Sequence, residues 1–209
     1  MAHGHLRRPE AIYARSFELA RELTDLAAVA PALHPLALRL VHACGLPEIG
    51  RDLAFGGDPL AAGRRALAAG GTILCDARMV EVGIMQRLVP DRAGTFCAVD
   101  APAARALAEQ RETTRSAASV DLWQPHLAGS VVAIGNAPTA LFRLLEVLVE
   151  VPERPAAILA FPVGLVGAAE SKDALIEAGL GIPYVTLRGR FGGSALAAAA
   201  VNAILLPDP

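Results

Sequence analysis

The stretch AAILAFPVGLVGAAESK, Ala156 to Lys172, decides how this chain reads. Its unbroken apolar run, Ala156 to Phe161, has the length of a strand covered on both faces. Pro162, Gly164 and Gly167 then bend the chain, and the glycines let backbone come close to a ligand. A helix is predicted to begin near Ala168, with Glu170, Ser171 and Lys172 in its first turns. Strand, glycine loop and helix N-terminus in that order make a place for negatively charged groups, because the first amides of a helix point outward unpaired. The same order also describes a tight strand-to-helix turn that holds no ligand. This stretch alone leaves both readings open.

Outward from it, four more short apolar runs recur: Thr72 to Cys75, Thr95 to Val99, Val131 to Ile134 and Tyr184 to Leu187. A helical stretch follows each, at intervals that match βα units. Continuous rather than alternating apolar strands predict a parallel sheet with both faces covered. The expected fold is α/β in three layers: a five-stranded parallel sheet of flavodoxin-like order 2-1-3-4-5, with extra N-terminal helices packed around it. The 209 residues, 54% of them hydrophobic, suit one domain over the whole chain, with Met1 to Arg8 as a flexible polar tail. His3 and His5 in that tail read as disordered residues rather than a metal site.

Composition excludes several classes. A net charge of −2 argues against a nucleic-acid surface or a polybasic membrane patch. No apolar run has transmembrane length, and no signal peptide is read at the start. Cys44, Cys75 and Cys97 are odd in number with no close pair, which fits a reducing cytoplasm and neither a disulfide framework nor a zinc site. With 6 Phe, 2 Tyr and 1 Trp, the core is expected to be aliphatic.

Ahead of the sheet, Pro9 to about Thr24 reads as a helix with Pro at its start. It carries Ser16 beside Phe17. His34-Pro35 opens a second helix, which Gly45 and Pro47 end. Arg39 and His42 stand three apart on it and share a face. His42 occupies the last turn, where the negative end of the helix dipole favours imidazolium, raises the pKa and suits a proton donor. The bland alternative is a surface histidine making one hydrogen bond. Asp58-Pro59 starts a third helix, closed by Gly70-Gly71.

Ligands of open α/β sheets bind where strand order reverses. Here that lies between the loops Asp76-Ala77-Arg78-Met79 and Gly135-Asn136-Ala137-Pro138-Thr139. Asp76 and Asn136 are candidate contacts, or caps on the helices that follow. Thr114 and Arg115, in a polar stretch between Ala-rich helical segments, read as a helix start aimed at an anion or as a solvated connection. The last loop, Arg188 to Ser194, is more pointed: Arg190, Gly192, Gly193 and Ser194 combine guanidinium and free amides suited to carboxylates or phosphates, a reading favoured over that of a plain turn. There is no G-x-S-x-G elbow, no Walker A and no G-x-G-x-x-G after the first strand. No ligand-spaced His, Cys or carboxylate cluster marks a metal site. What remains is proton-assisted chemistry on an organic anion.

As a set, His42-Ala43-Cys44-Gly45, GNAPTALF (Gly135 to Phe142), PVGLVGAAESK (Pro162 to Lys172) and GRFGGSA (Gly189 to Ala195) resemble the precorrin-8X methylmutase family and its cobalt-precorrin-8 counterpart. The likeness runs from about Pro9 to the last helix. It includes Ile12-Tyr13, Ser16-Phe17, Ile73 to Asp76 and Thr114 to Ala118. The resemblance implies an isomerase of cobalamin biosynthesis with no bound cofactor. It would move a methyl group between neighbouring ring-C carbons of a corrin precursor, giving hydrogenobyrinic acid or its cobalt equivalent. The family's histidine falls on His42, which would protonate the ring-C nitrogen and recover the proton; its substrate contacts fall on Ser16 and Arg39. The resemblance further implies homodimers with active sites shared between subunits. Leu165 departs from the family pattern, which has Phe there, and Gln110-Arg111-Glu112 replaces a Gly-containing turn. Two other classes predict different behaviour. A non-catalytic corrinoid carrier would bind product without turnover, and a flavin- or nucleotide-binding protein would be yellow or respond to a mononucleotide.

Overall fold

The computed structural model describes residues 5–208, so His3 lies outside the described residues, as do the first four positions of the expected tail. His5 to Arg8 are exposed and precede the first helix. The strands are β1 (Leu53–Gly56), β2 (Thr72–Cys75), β3 (Gly94–Phe96), β4 (Val131–Ile134), β5 (Ala157–Ala160) and β6 (Tyr184–Leu187). The helices are α1 (Pro9–Leu23), α2 (His34–Cys44), α3 (Pro59–Ala68), α4 (Arg78–Gly83), α5 (Pro102–Gln110), α6 (Arg115–Asp121), α7 (Pro138–Glu150), α8 (Ala168–Glu177) and α9 (Ser194–Leu205).

The expectation of five strands, all parallel and flavodoxin-like, is corrected by the sheet itself. It has six strands in the order β1-β6-β5-β4-β2-β3, and β1 runs antiparallel to β6. The other five run parallel to one another. β1 is only LAFG, with Ala54 alone buried rather than a continuous buried run, so it lacks the pattern that marks the central strands. Its physical task is to cover the edge of β6, whose unpaired backbone groups would otherwise face solvent. An antiparallel edge strand on a mostly parallel sheet is a common solution. The pairing continues past the strand ends, where the Arg188 amide donates to Asp52 O at 2.8 Å. β3 is also shorter than expected: it pairs Gly94 to Phe96 with Thr72 to Leu74, and Cys97 to Val99 leave the sheet.

Alternate strand residues serve opposite helical layers. Ile73, Cys75, Val131, Ala133, Leu159 and Val185 face α3, α4 and α9, with α2 and then α1 stacked outside α9. Leu74, Val132, Ile134, Ile158 and Ala160 face α6, α7 and α8. Trp123, Leu141, Leu144 and Leu148 complete this second core. Each buried Leu, Val or Ile contributes roughly 1.5–3 kcal/mol of transfer free energy. The layered sheet is therefore a rigid base for loops at the C-terminal ends of β2, β4, β5 and β6.

Candidate functional site

His42 is placed by two helices. Pro35 stands in the first turn of α2, and Gly45, left-handed at φ 70, ends it by donating its amide to Val41 O at 2.7 Å. On α1, Tyr13, Ser16 and Phe17 recur at helical spacing, so all three meet the Arg39–His42 face of α2. Ser16 Oγ and His42 Nδ1 are hydrogen-bonded at 2.7 Å. The imidazole stacks on Phe17 with centroids 4.7 Å apart and planes at 19°. Tyr13 meets it edge-on at 5.5 Å. One ring nitrogen and one ring face are therefore committed, and Nε2 makes no protein hydrogen bond among the described residues.

The direction of the His42 pKa is the reverse of the one the helix terminus alone suggests. Burial against the aromatic rings, followed by repulsion from the Arg39 guanidinium, holds it below the ordinary histidine value. Arg39 is itself buried, with its Nη1 donating to the Tyr13 hydroxyl at 2.9 Å and its Nη2 to Pro207 O at 3.0 Å.

A groove of about 280 Å³ opens beside His42 and is lined by Tyr13, Arg39, His42 and Ala43, by Gly83 and Met85, and by Ala195, Ala198, Ala199 and Asn202 of α9. A second hollow of about 220 Å³ lies on the Ser16 side, between α1 and the end of α2. The first groove reaches Ala195, one residue beyond Ser194, and so meets the loops at the sheet's C-terminal edge.

Those loops form one hydrogen-bonded rim. Asp76, fully buried at the end of β2, accepts from the amides of Gly135 at 2.9 Å, Asn136 at 3.0 Å and Ala137 at 2.8 Å. Burial pushes its pKa up, and these three bonds pull against that rise. Asp76 thus shapes the β4–α7 loop from beneath and offers no surface to a substrate. Asn136 is exposed, and its carbonyl accepts from the Val163 amide at 3.4 Å. Gly164 donates to Arg190 O at 3.4 Å, and Gly193 donates to Phe161 O at 2.8 Å. Lys172 is fully buried in α8 and donates to Phe191 O at 2.7 Å; burial lowers its pKa to about 8. Arg190 is exposed, and Ser194 is the first residue of α9, whose backbone a side chain on Gly135 would strike. Thr114 caps α6 through the Ala117 amide at 3.1 Å and meets Thr139 Oγ1 at 2.7 Å, which joins α6 to the β4–α7 loop. Arg115 is exposed and 3.8 Å from Asp100.

The predicted residues therefore fall into two groups. Ser16 and Arg39 gather at the His42 imidazole; Asp76, Asn136, Gly164, Lys172, Arg190, Gly192, Gly193 and Ser194, with Thr114 and Arg115 beside them, build the rim.

Comparison with known proteins gives this arrangement a context. The family model CbiC, precorrin-8X methylmutase, matches residues 11–206. The chain belongs to the precorrin-8X methylmutase family. A precorrin-8X methylmutase of Pseudomonas aeruginosa is 50% identical over 200 residues, covering 96% of each chain. A cobalt-precorrin-8 methylmutase of Methanothermobacter thermautotrophicus is 39% identical over 193 residues, covering 91% of this chain and 89% of its own. The crystal structure of precorrin-8x methyl mutase from Thermus thermophilus superposes with a TM-score of 0.83 at 34% identity, over 94% of both chains. The family's members are isomerases acting in cobalamin biosynthesis.

Within this methylmutase chain, both stretches expected to depart from the family pattern fall at the surface. Leu165 is 82% exposed on the β5–α8 loop beside Val166, at 88%. Glu112 takes a left-handed φ of 51, the backbone state for which glycine is the ordinary choice. Sequence reasoning missed Tyr13 and Phe17 as the walls of the imidazole, although their spacing from Ser16 was the available signal. It also missed Asn202, which accepts from the Met85 amide at 2.9 Å and donates to Gly83 O at 3.0 Å. A lone amide in the apolar run of α9 was the clue. Among the described residues, no group of three His, Cys, Asp or Glu stands close enough to hold a metal, and no helix is long and apolar enough to cross a membrane.

The rim tolerates little added volume. A methyl group on Gly192 would run into the carbonyl oxygens of Phe161 and Pro162, which are backbone and cannot swing aside. Gly192→Ala is expected to cost about 1–3 kcal/mol, read from the denaturant midpoint, because overpacking forces the loop to move.

Proposed function

We propose that this chain moves a methyl group between neighbouring ring-C carbons of precorrin-8X, with His42 as the proton donor to the ring-C nitrogen and its later acceptor. The observation that carries this reading is the imidazole itself: Nδ1 held by Ser16, one face on Phe17, and the residue lining a groove. A histidine with Nδ1 held in that way keeps Nε2 for exchanging a proton with a ligand. The rim supplies what the acetate and propionate arms of such a macrocycle need, namely the exposed Arg190 guanidinium. Higher identity to the relative named for precorrin-8X than to the one named for cobalt-precorrin-8 favours the cobalt-free substrate.

The working form in this reading is a homodimer with shared sites. A groove of about 280 Å³ is small for a tetrapyrrole, given that drug-sized ligands occupy about 300–1,000 Å³. Exposed Leu165 and Val166 are suited to complete the walls from a second copy. Free Cys44, Cys75 and Cys97 fit residence in a reducing cytoplasm.

The test offers purified protein precorrin-8X and cobalt-precorrin-8 separately and follows the visible spectrum, with sedimentation of the same preparation. Conversion of the cobalt-free substrate by a dimer is the expected result. Product binding with no turnover of either compound would replace the isomerase reading with that of a carrier.

A further inference from the structure

Lys172 is a charged group that the proposed reaction leaves without a task. It lies wholly inside the protein, and its ammonium donates to one backbone carbonyl, Phe191 O, at 2.7 Å. Asp173, next to it on α8, turns instead toward Arg188, 3.9 Å away. A buried cation without a carboxylate partner is costly, and a chain selected for stability alone would do better with methionine or leucine here. The carbonyl that it holds is the point of interest. Phe191 sits in the middle of the Arg188–Gly193 loop, and the residue is 42% exposed. The ties of that loop to the β5–α8 segment are otherwise backbone bonds: Gly193 N–H to Phe161 O at 2.8 Å and Gly164 N–H to Arg190 O at a longer 3.4 Å. The ammonium thus pins the loop between its two ends, from beneath.

We propose that Lys172 is a positioning residue: its buried ammonium holds the Arg188–Gly193 loop in the shape that presents the exposed Arg190 guanidinium to a substrate carboxylate. The carboxylate rests on the methylmutase reading above; the hold on the loop does not. The substitution that separates loop-holding from packing is Lys172→Met, which keeps the chain length and removes charge and donor. Hydrogen exchange of the 188–193 amides is expected to quicken about tenfold while core strands keep their protection. The melting temperature at pH 7 is expected to hold or rise, since the buried charge is gone. With precorrin-8X, KM is expected to rise about tenfold and kcat to change less than about threefold, the pattern of lost binding rather than lost chemistry. Lys172→Gln keeps an N–H donor without the charge and is expected to recover part of the loop's protection; it carries the exchange measurement if the Met variant fails to fold. Unchanged exchange in the loop, or exchange that quickens equally throughout the core, overturns the proposal whatever the substrate proves to be. Quickened loop exchange in a protein whose wild type converts neither precorrin would leave the loop assignment standing and remove the methylmutase reading.

Discussion

His42→Ala is expected to lower kcat for methyl migration by about 10²–10⁴, the usual worth of proton transfer by a positioned side chain. The fold should hardly register the change, because the ring is exposed at its outer edge and its losses are one hydrogen bond to Ser16 and a stack on Phe17. A melting temperature close to wild type, together with a rate that has collapsed, is the expected signature. The pH profile adds a sign. Donation needs the imidazolium, and burial with Arg39 repulsion places the His42 pKa below its ordinary value. The kcat/KM of the free enzyme should therefore fall as pH rises through that lowered value. Carboxylate arms bound near Arg39 would offset the guanidinium's repulsion, so kcat should hold to higher pH than kcat/KM. Equal rates for wild type and variant, measured by the spectrum of the product, would remove His42 from the mechanism.

How much of this could be read in advance follows from the range of each interaction. β2, β4, β5 and β6 are buried on both faces, and that condition is written locally as unbroken apolar runs. β1 is an edge strand whose existence depends on β6, more than 100 residues away in sequence, and LAFG carries no mark of that partner. The His42 position was readable because a helix stop, Gly45, lies three residues on. Its pKa direction was not, because Phe17 and Tyr13 reach it across a helix pair that only tertiary packing brings together. The glycine loops were readable as close approaches of backbone. Which polar residue within them faces outward was not, since Asp76, Lys172 and Arg190 look alike as polar groups near strand ends. The structure separates them by burial: Asp76 and Lys172 point inward to brace loops, and Arg190 stays exposed.

Asp76→Ala is the substitution expected to weaken the fold most. Its carboxylate accepts from three successive loop amides, those of Gly135, Asn136 and Ala137, and no water-exposed surface is left on the side chain. An unpaired buried amide costs about 1–3 kcal/mol, and removing the charge that three of them converge on is worth about 3–5 kcal/mol in total once the outer amides find water. That is a large share of the ~5–15 kcal/mol that holds a typical domain together. Asp76→Asn separates charge from shape. Its single carbonyl oxygen can serve the amides on one side, while its NH₂ must face a donor on the other, so an intermediate loss is expected. Urea unfolding of the three proteins should rank them wild type, Asn, Ala. The consequence for chemistry is indirect but specific. The β4–α7 loop carries Asn136, whose carbonyl receives the Val163 amide, and Thr139, which holds Thr114. A rim that loses Asp76 should therefore loosen at the β5–α8 and α6 contacts while the Ser16–His42 pair, built on α1 and α2, stays in place. KM would then rise more than kcat falls. Full stability in the Ala variant would mean that the loop holds its shape without the carboxylate.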